Sequence, residues 1–165
     1  MSGLDRFNHL DDTAAIDVLL TCCASRGWAQ RVGGKRPFPD ADALVAAGDA
    51  ALDRLGWPVV REALDAHPRI GERAPGTGRD AAWSREEQAG AATATTTVAA
   101  ELADANAAYE RRFGHIFLIR AAGRDAAGVL AEARRRLGDD PATERAETTR
   151  ELREIVALRL RKLVA

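Results

Sequence analysis

DADALVAAGDAALDRLG, residues 40–56, is the clearest helical pattern in this sequence. Its apolar residues recur at helical spacing on one face, at Leu44, Ala47, Ala51 and Leu55. Asp40 is a residue type that favours the N-cap of a helix, and Gly56 suits the position just after the last turn. The stretch therefore predicts one amphipathic helix with both ends marked.

Patterns of the same kind cover most of the chain. They lie at 14–23, 28–32, 58–66, 84–112, 125–137 and 141–164. The stretches VGGKRPFPD and GERAPGTGRDAAW are rich in glycine and proline and are predicted to be loops. HIFLI, residues 115–119, has no partner strand in the sequence, so we expect a buried extended or helical piece. The prediction is an all-α, single-domain helical bundle of about seven or eight helices over residues 1–165.

Composition excludes several classes of protein. The chain has 165 residues, 46% of them hydrophobic and 30% charged, with a net charge of −1. These values do not fit a disordered chain or a membrane protein, and they favour neither nucleic acid nor a membrane surface as partner. The start lacks the apolar region of a signal peptide, so the cytoplasm is the expected location.

Cofactor signatures are also missing from the sequence. Cys22 and Cys23 are adjacent and cannot build a disulfide framework. The three histidines are far apart, so no spacing suggests a metal site. The glycine-bearing loops match neither a dinucleotide fingerprint nor a P-loop. We therefore expect no metal site and no nucleotide-binding loop.

His67 follows a helical pattern and precedes Pro68. Proline disfavours helical backbone in the residue before it, so the helix should end near Ala66 and the imidazole should project from the break. An imidazole fixed in this way suits proton transfer near neutral pH. The alternative is a structural histidine that caps the helix or packs against Trp83.

Ser84 and Glu87 have the spacing of a capping box, which predicts that a helix begins at Ser84. The free N–H groups at such a helix end could also bind an anion, with Ser84, Glu87 and Gln88 around it. Arg159 lies four residues from Ile155, toward the apolar side of the last helix. A buried arginine needs an anionic partner, either an internal carboxylate or a substrate carboxylate.

Four stretches, in this order, resemble the 2-oxo-4-hydroxy-4-carboxy-5-ureidoimidazoline (OHCU) decarboxylases of urate breakdown. They are HPRIGE (67–72), WSREEQAG (83–90), NAAYERRFGHIFLIRAAGR (106–124) and EIVALRL (154–160). The resemblance covers nearly the whole chain, and its specificity comes from the joint order of the stretches. It implies an all-α fold, usually a homodimer, and a carboxy-lyase that converts OHCU to (S)-allantoin without a cofactor.

The resemblance also implies roles for individual residues. His67 corresponds to the catalytic acid/base of the family, with Glu87 as a second candidate for proton transfer. The substrate-binding residues implied are Pro68, Ser84, Gln88, Phe117, Leu118, Ile119, Arg120, Ala121 and Arg159, with residues 117–121 acting through their backbone. Arg120 lies at a position where we expect a smaller or apolar residue. This departure does not affect substrate binding if only the backbone of residue 120 contacts the substrate. His115 is a second departure, without an evident role.

Two other interpretations stay open at this point. A non-catalytic helical module that binds a small anionic ligand or a protein would use Ser84 and Arg159 but would need no titrating His67. A structural dimer subunit of a purine-degradation complex would be inactive when isolated.

Overall fold

The computed structural model describes residues 1–72, 74, 76–91 and 95–165. Within these residues the chain forms nine α-helices and no strand, so the predicted all-α class is confirmed, with slightly more helices than expected. The helices are α1 (Gly3–Asn8), α2 (Asp12–Leu20), α3 (Arg26–Gly33), α4 (Ala41–Leu55), α5 (Trp57–Asp65), α6 (Arg79–Glu87), α7 (Thr96–Phe113), α8 (Ala126–Arg136) and α9 (Pro141–Leu163).

Helix boundaries follow local chemistry where the sequence marks them. Asp40 Oδ1 accepts the Ala43 N–H at 2.7 Å, and Asp125 Oδ1 accepts the Gly128 N–H at 2.7 Å. Gly56 ends α4 with φ +71°, a left-handed value that glycine adopts without steric cost. These three predicted helix ends are confirmed.

The region after Ser84 differs from the sequence prediction. α6 already begins at Arg79, inside a stretch predicted to be a loop, and it ends at Glu87. The predicted long helix over 84–112 is therefore two helices, α6 and α7, while residues 92–94 of that prediction lie outside the described residues. Two alanines, Ala81 and Ala82, favour helix upstream of Ser84, which explains the earlier start.

The chain divides into two compact units. The first contains residues 1–63 and 153–165, and the second contains residues 64–152. In the first unit Trp28 is fully buried and its indole N–H donates to the Gly48 carbonyl at 3.0 Å. The single domain expected from the sequence stays a prediction.

The second unit has its core around Tyr109. The Tyr109 ring meets the rings of Phe113 and Phe117 at centroid distances of 4.7 and 5.3 Å. Ile119 and Leu130 are buried in the same cluster. The apolar segment that follows α7 is thus packed between helices, as expected for HIFLI. None of the helices in the described residues is both long and apolar enough to cross a membrane.

Candidate active site

The HP loop, defined here as residues 67–72, carries His67 on a break in the helical structure. α5 ends at Asp65, and the His67 N–H donates to the Leu64 carbonyl at 3.0 Å. His67 is half-buried and is followed by non-helical backbone at Pro68. The predicted helix end near Ala66 is therefore correct to within one residue, and the imidazole stands on a non-helical corner.

Side chains from two other helices of the same unit hold the HP loop. The buried Asn106 of α7 donates from Nδ2 to the Ile70 carbonyl at 2.8 Å. Gln88, directly after α6, accepts the Gly71 N–H through Oε1 at 3.1 Å. Arg69 binds Glu110 of α7 through Nε at 2.9 and 3.0 Å. The loop is thus fixed at three successive residues, which restricts the backbone that carries His67.

Ser84 does not begin a helix. It lies in the second half of α6, only 6% exposed, and the N-cap of that helix is Gly78. The expected capping box and the free N–H groups at Ser84 are therefore wrong. Ser84, Glu87 and Gln88 instead follow the i, i+3, i+4 spacing that places side chains on one helical face.

This change reverses the local electrostatics. Glu87 is the last residue of α6 and Gln88 its C-cap, so the nearby helix end carries partial negative charge. A helix C-terminus favours a proton or a cation over an anion. The structure therefore does not support anion binding by the helix dipole at Ser84. It does support the placement of Ser84, Glu87 and Gln88 on one helical face.

The 116–121 segment connects α7 to α8 without helix or turn. Phe117, Leu118, Ile119 and Ala121 are buried, and Arg120 is exposed. The Arg120 N–H donates to Glu151 Oε2 at 3.0 Å, and the Leu118 carbonyl accepts from Arg136 Nη1 at 2.7 Å.

Phe117 and Ile119 are the two most buried residues of this segment. Each is 2% exposed, yet within the described part of the chain neither residue's N–H nor its carbonyl takes part in a hydrogen bond. Buried backbone groups are nearly always paired, so the free backbone groups of these two residues are able to bond to a ligand or to water. A buried extended or helical piece was expected here, and the segment is buried and not helical.

A buried ion pair lies behind the segment. Arg136 and Glu144 are both fully buried, with Arg136 Nε 2.9 Å from Glu144 Oε1. Burial lowers the pKa of Arg136, but the hydrogen bonds and the charge of Glu144 raise it above its ordinary value. Burial, together with a hydrogen bond to Glu144, raises the pKa of Tyr109. Arg136 is therefore a permanent cation, with its counter-ion beside it.

Carboxylates also meet near this pair. One oxygen each from Asp139, Glu144 and Glu147 lies within 4.8 Å of the others, the kind of grouping that can hold a cation. Arg136 pairs with Glu144, and Arg135 pairs with Glu147 at 2.6 Å. Arginines already balance the charge of two of the three carboxylates.

Arg159 belongs to the first unit, whereas the other predicted site residues belong to the second. It is 4% exposed, so its predicted inward orientation agrees with its burial. Its Nη1 donates to the Thr21 carbonyl at 3.4 Å. Burial raises the pKa of the neighbouring Cys23 thiol to about 12, and the charge of Arg159 opposes that rise.

A cavity of about 400 Å³ opens beside the HP loop. Arg69 and Gly71 line one side of it, and Asn106 and Glu110 of α7 line another. Among the described residues, its lining includes none of the predicted site residues. The apolar part of its wall on α7 consists of Ala99, Leu102, Ala103 and Ala107.

Sequence reasoning missed Asn106, Arg136, Glu144 and Glu151. Asn106 sits in the quoted stretch NAAYERRF, and a polar residue on the buried face of a helix is the signal that could have identified it. Arg136 and Glu144 are eight residues apart on different helices, and nothing in an arginine-rich sequence singles them out.

Comparison with known proteins covers almost the whole chain. The family model for OHCU decarboxylase matches residues 8–161. The uric acid degradation bifunctional protein TTL of Arabidopsis thaliana is 32% identical over 150 residues, which are 89% of this chain and 46% of that protein. This chain thus spans about half the length of that relative.

Two further matches cover nearly their full length. An OHCU decarboxylase of Haloferax volcanii is 27% identical over 158 residues, which are 95% of this chain and 93% of that protein. A crystal structure of OHCU decarboxylase in the presence of (S)-allantoin has a TM-score of 0.78 and 27% identity. That match covers 94% of this chain and 99% of the other.

Proposed function

This chain belongs to the OHCU decarboxylase family, and we propose that it converts OHCU to (S)-allantoin and CO2 with the residues described above. The observation that carries the proposal is the family match over residues 8–161, supported by the shared all-α fold. The chain is a carboxy-lyase of urate degradation.

The substrate brings its own electron sink. The carbon that carries the carboxylate also carries a hydroxyl and adjoins a C=N bond. When the bond to CO2 breaks, its electron pair forms a C=C bond and the imine nitrogen takes the displaced pair and one proton. The enol then loses its hydroxyl proton to become a carbonyl, and the neighbouring carbon gains a proton. The sum is one proton consumed and one CO2 released, so no pyridoxal or thiamin is needed.

His67 is the acid/base of this scheme. It takes the hydroxyl proton, a task that suits an imidazole on a fixed corner near neutral pH. Glu87, the last residue of α6, is the second group for proton transfer. Protonation of the ring carbon from one face sets the S configuration.

The remaining predicted residues hold the substrate. Ser84 and Gln88 share a helical face with Glu87, and Pro68 adjoins His67. The backbone of 117–121 supplies hydrogen bonds to the ring and ureido group, which the unpaired buried N–H and carbonyl of Ile119 support. Arg159 binds an anionic group of the ligand. Since tight binding of the carboxylate would oppose its loss, the strongest contacts belong elsewhere on the molecule.

The protein acts as a cytoplasmic homodimer, without metal or cofactor and without nucleic acid or membrane partners. Light scattering during size-exclusion chromatography checks the dimer, because a mass of one chain would contradict it.

The test of function is an ultraviolet and circular-dichroism time course on freshly generated OHCU. The protein is expected to accelerate loss of the OHCU signal and to produce the dichroism of (S)-allantoin. His67→Asn should lower the rate by at least about 100-fold, the scale of one lost acid/base. His9→Asn is the matched control, because His9 is exposed at the end of α1.

Glu87→Gln is compared with Glu86→Gln, its exposed neighbour. Loss of stereospecificity in Glu87→Gln alone would assign carbon protonation to Glu87. A His67→Asn variant with the wild-type rate would contradict the role of His67. Binding of (S)-allantoin by a wild-type protein that does not accelerate decarboxylation would support the non-catalytic binding module instead.

A further inference from the structure

We propose that Arg136 is a positioning residue of this reaction, which holds the 116–121 segment so that the backbone of Ile119 is presented to the substrate. The inference rests on the proposed function, since it concerns the backbone assigned to substrate binding. No motif of the sequence pointed to Arg136.

Arg136 makes two contacts with the 116–121 segment. Its Nη1 donates to the Leu118 carbonyl at 2.7 Å, and its guanidinium carbon lies 4.7 Å from the centre of the Phe117 ring. A planar guanidinium can hydrogen-bond along its edge while its face packs on an aromatic ring. Two consecutive residues of the segment are thereby fixed by one side chain.

The guanidinium is itself held in one orientation. Glu144 accepts from Nε at 2.9 Å, and Thr148 Oγ accepts from Nη2 at 3.1 Å. Tyr109 donates its hydroxyl to Glu144 from α7. Groups from α7 and α9 therefore fix the direction in which Arg136 of α8 reaches the segment, and all of them lie in the second unit.

The free-energy cost of burying the Arg136–Glu144 ion pair indicates a role other than stabilising the fold. Burying two charges costs several kcal/mol each, and a well-packed apolar pair is often as stable or more so. An apolar pair would fill the same space here, but it could not donate to the Leu118 carbonyl. That hydrogen bond is the contact for which a buried cation is needed.

Glu151 forms the second attachment of the segment, by accepting the Arg120 N–H at 3.0 Å. The two groups held, the Leu118 carbonyl and the Arg120 N–H, belong to residues two positions apart. Ile119 lies between these two attachments, and neither of them uses its backbone N–H or carbonyl. Those two groups therefore stay available to the substrate while the residues on either side are fixed.

The experiment measures kcat and KM for Arg136→Lys with OHCU as substrate. Lysine keeps a positive charge near Glu144 but cannot reproduce the fork that reaches both Glu144 and Leu118. We expect KM to rise roughly tenfold, as for one lost hydrogen bond, with kcat within about threefold of wild type. Arg135→Lys, the same substitution at an exposed neighbour, should leave both constants unchanged.

A merely structural role gives a different result. Partial unfolding lowers the fraction of active enzyme, so kcat would fall at unchanged KM, and that outcome overturns the proposal. If Arg136→Lys does not fold, the double variant Arg136→Met, Glu144→Leu removes both charges and keeps the core filled. It should show the same rise in KM, and an unchanged KM would again overturn the proposal.

The wild-type reaction separates this proposal from the proposed function. A wild-type protein that does not accelerate OHCU decarboxylation refutes both. An active wild type together with variants of unchanged KM refutes only the role of Arg136.

Discussion

Asp139 and Asp140 are adjacent in the chain, yet their surroundings shift their pKa values in opposite directions. Burial and the neighbouring charge of Glu147 raise the pKa of Asp139. Hydrogen bonds from the backbone and hydroxyl of Thr143 lower the pKa of Asp140, which caps α9. The folded protein thus favours the neutral form of the first carboxyl and the charged form of the second.

We expect Asp139→Asn to raise the melting temperature at pH 7. The raised pKa means that Asp139 contributes stability below its unfolded pKa, and that this contribution is lost as the pH rises through the folded pKa. The gain from the variant should therefore disappear near pH 3. Thermal melts at both pH values measure it, and a variant less stable than wild type at pH 7 would contradict the assignment.

Asp140→Asn is the opposite control. The lowered pKa means that its charged form stabilises the fold above the unfolded pKa, and that this contribution is lost as the pH falls through the folded pKa. The variant should melt slightly below wild type at pH 7 and match it in acid.

At the scale of elements, the sequence predicted helices best where both ends carry local signals. α4 lies between Asp40 and Gly56 as expected, and α8 begins after Asp125. α6 was misplaced because Ser84 and Glu87 have capping-box spacing inside a helix that starts five residues earlier. A capping motif is a local signal, and it cannot show that the chain upstream is already helical.

Glycine marks the end of the element that leads into the 116–121 segment. Gly114 follows α7 with φ +76°, and a Cβ added there would meet no atom within 4 Å. Gly114→Ala should therefore cost about 1 kcal/mol, from backbone strain alone. Gly27→Ala is the control, because Gly27 lies within α3 with open space around it and should gain up to about 1 kcal/mol.

Urea unfolding of the two glycine variants measures the change in the free energy of unfolding, which should be a loss for Gly114→Ala and a gain for Gly27→Ala. A Gly114→Ala variant as stable as wild type would show that α7 can end without a left-handed residue.

At the scale of the whole molecule, the first unit is built from both ends of the chain. Leu160 of α9 is fully buried, and a Cβ on Gly48 of α4 would lie 3.0 Å from its Cδ1. Gly3 approaches the chain end so closely that a Cβ there would lie 2.5 Å from the Val164 carbonyl oxygen. Residues more than a hundred positions apart therefore complete one core.

Leu160→Ala should lower the free energy of unfolding by about 2–5 kcal/mol, the range for a buried leucine replaced by alanine. Leu163→Ala, at a half-buried position of the same helix, should cost less. Urea unfolding followed by tryptophan fluorescence reports the change, because Trp28 packs beside Gly48 in the same unit. Equal losses in the two variants would contradict the packing described for Leu160.

The class of fold, most helix ends and the break at His67 could be predicted from the chain because they depend on neighbouring residues. Helical periodicity, aspartate caps and the constraint of proline on its predecessor all act within a few positions. Arg136, Glu144 and Asn106 could not be assigned roles in this way. Their roles come from burial and from hydrogen bonds to residues up to 36 positions away, such as that from Asn106 to Ile70. A buried charge or amide must find its partner wherever packing places it, and packing is a property of the folded molecule as a whole.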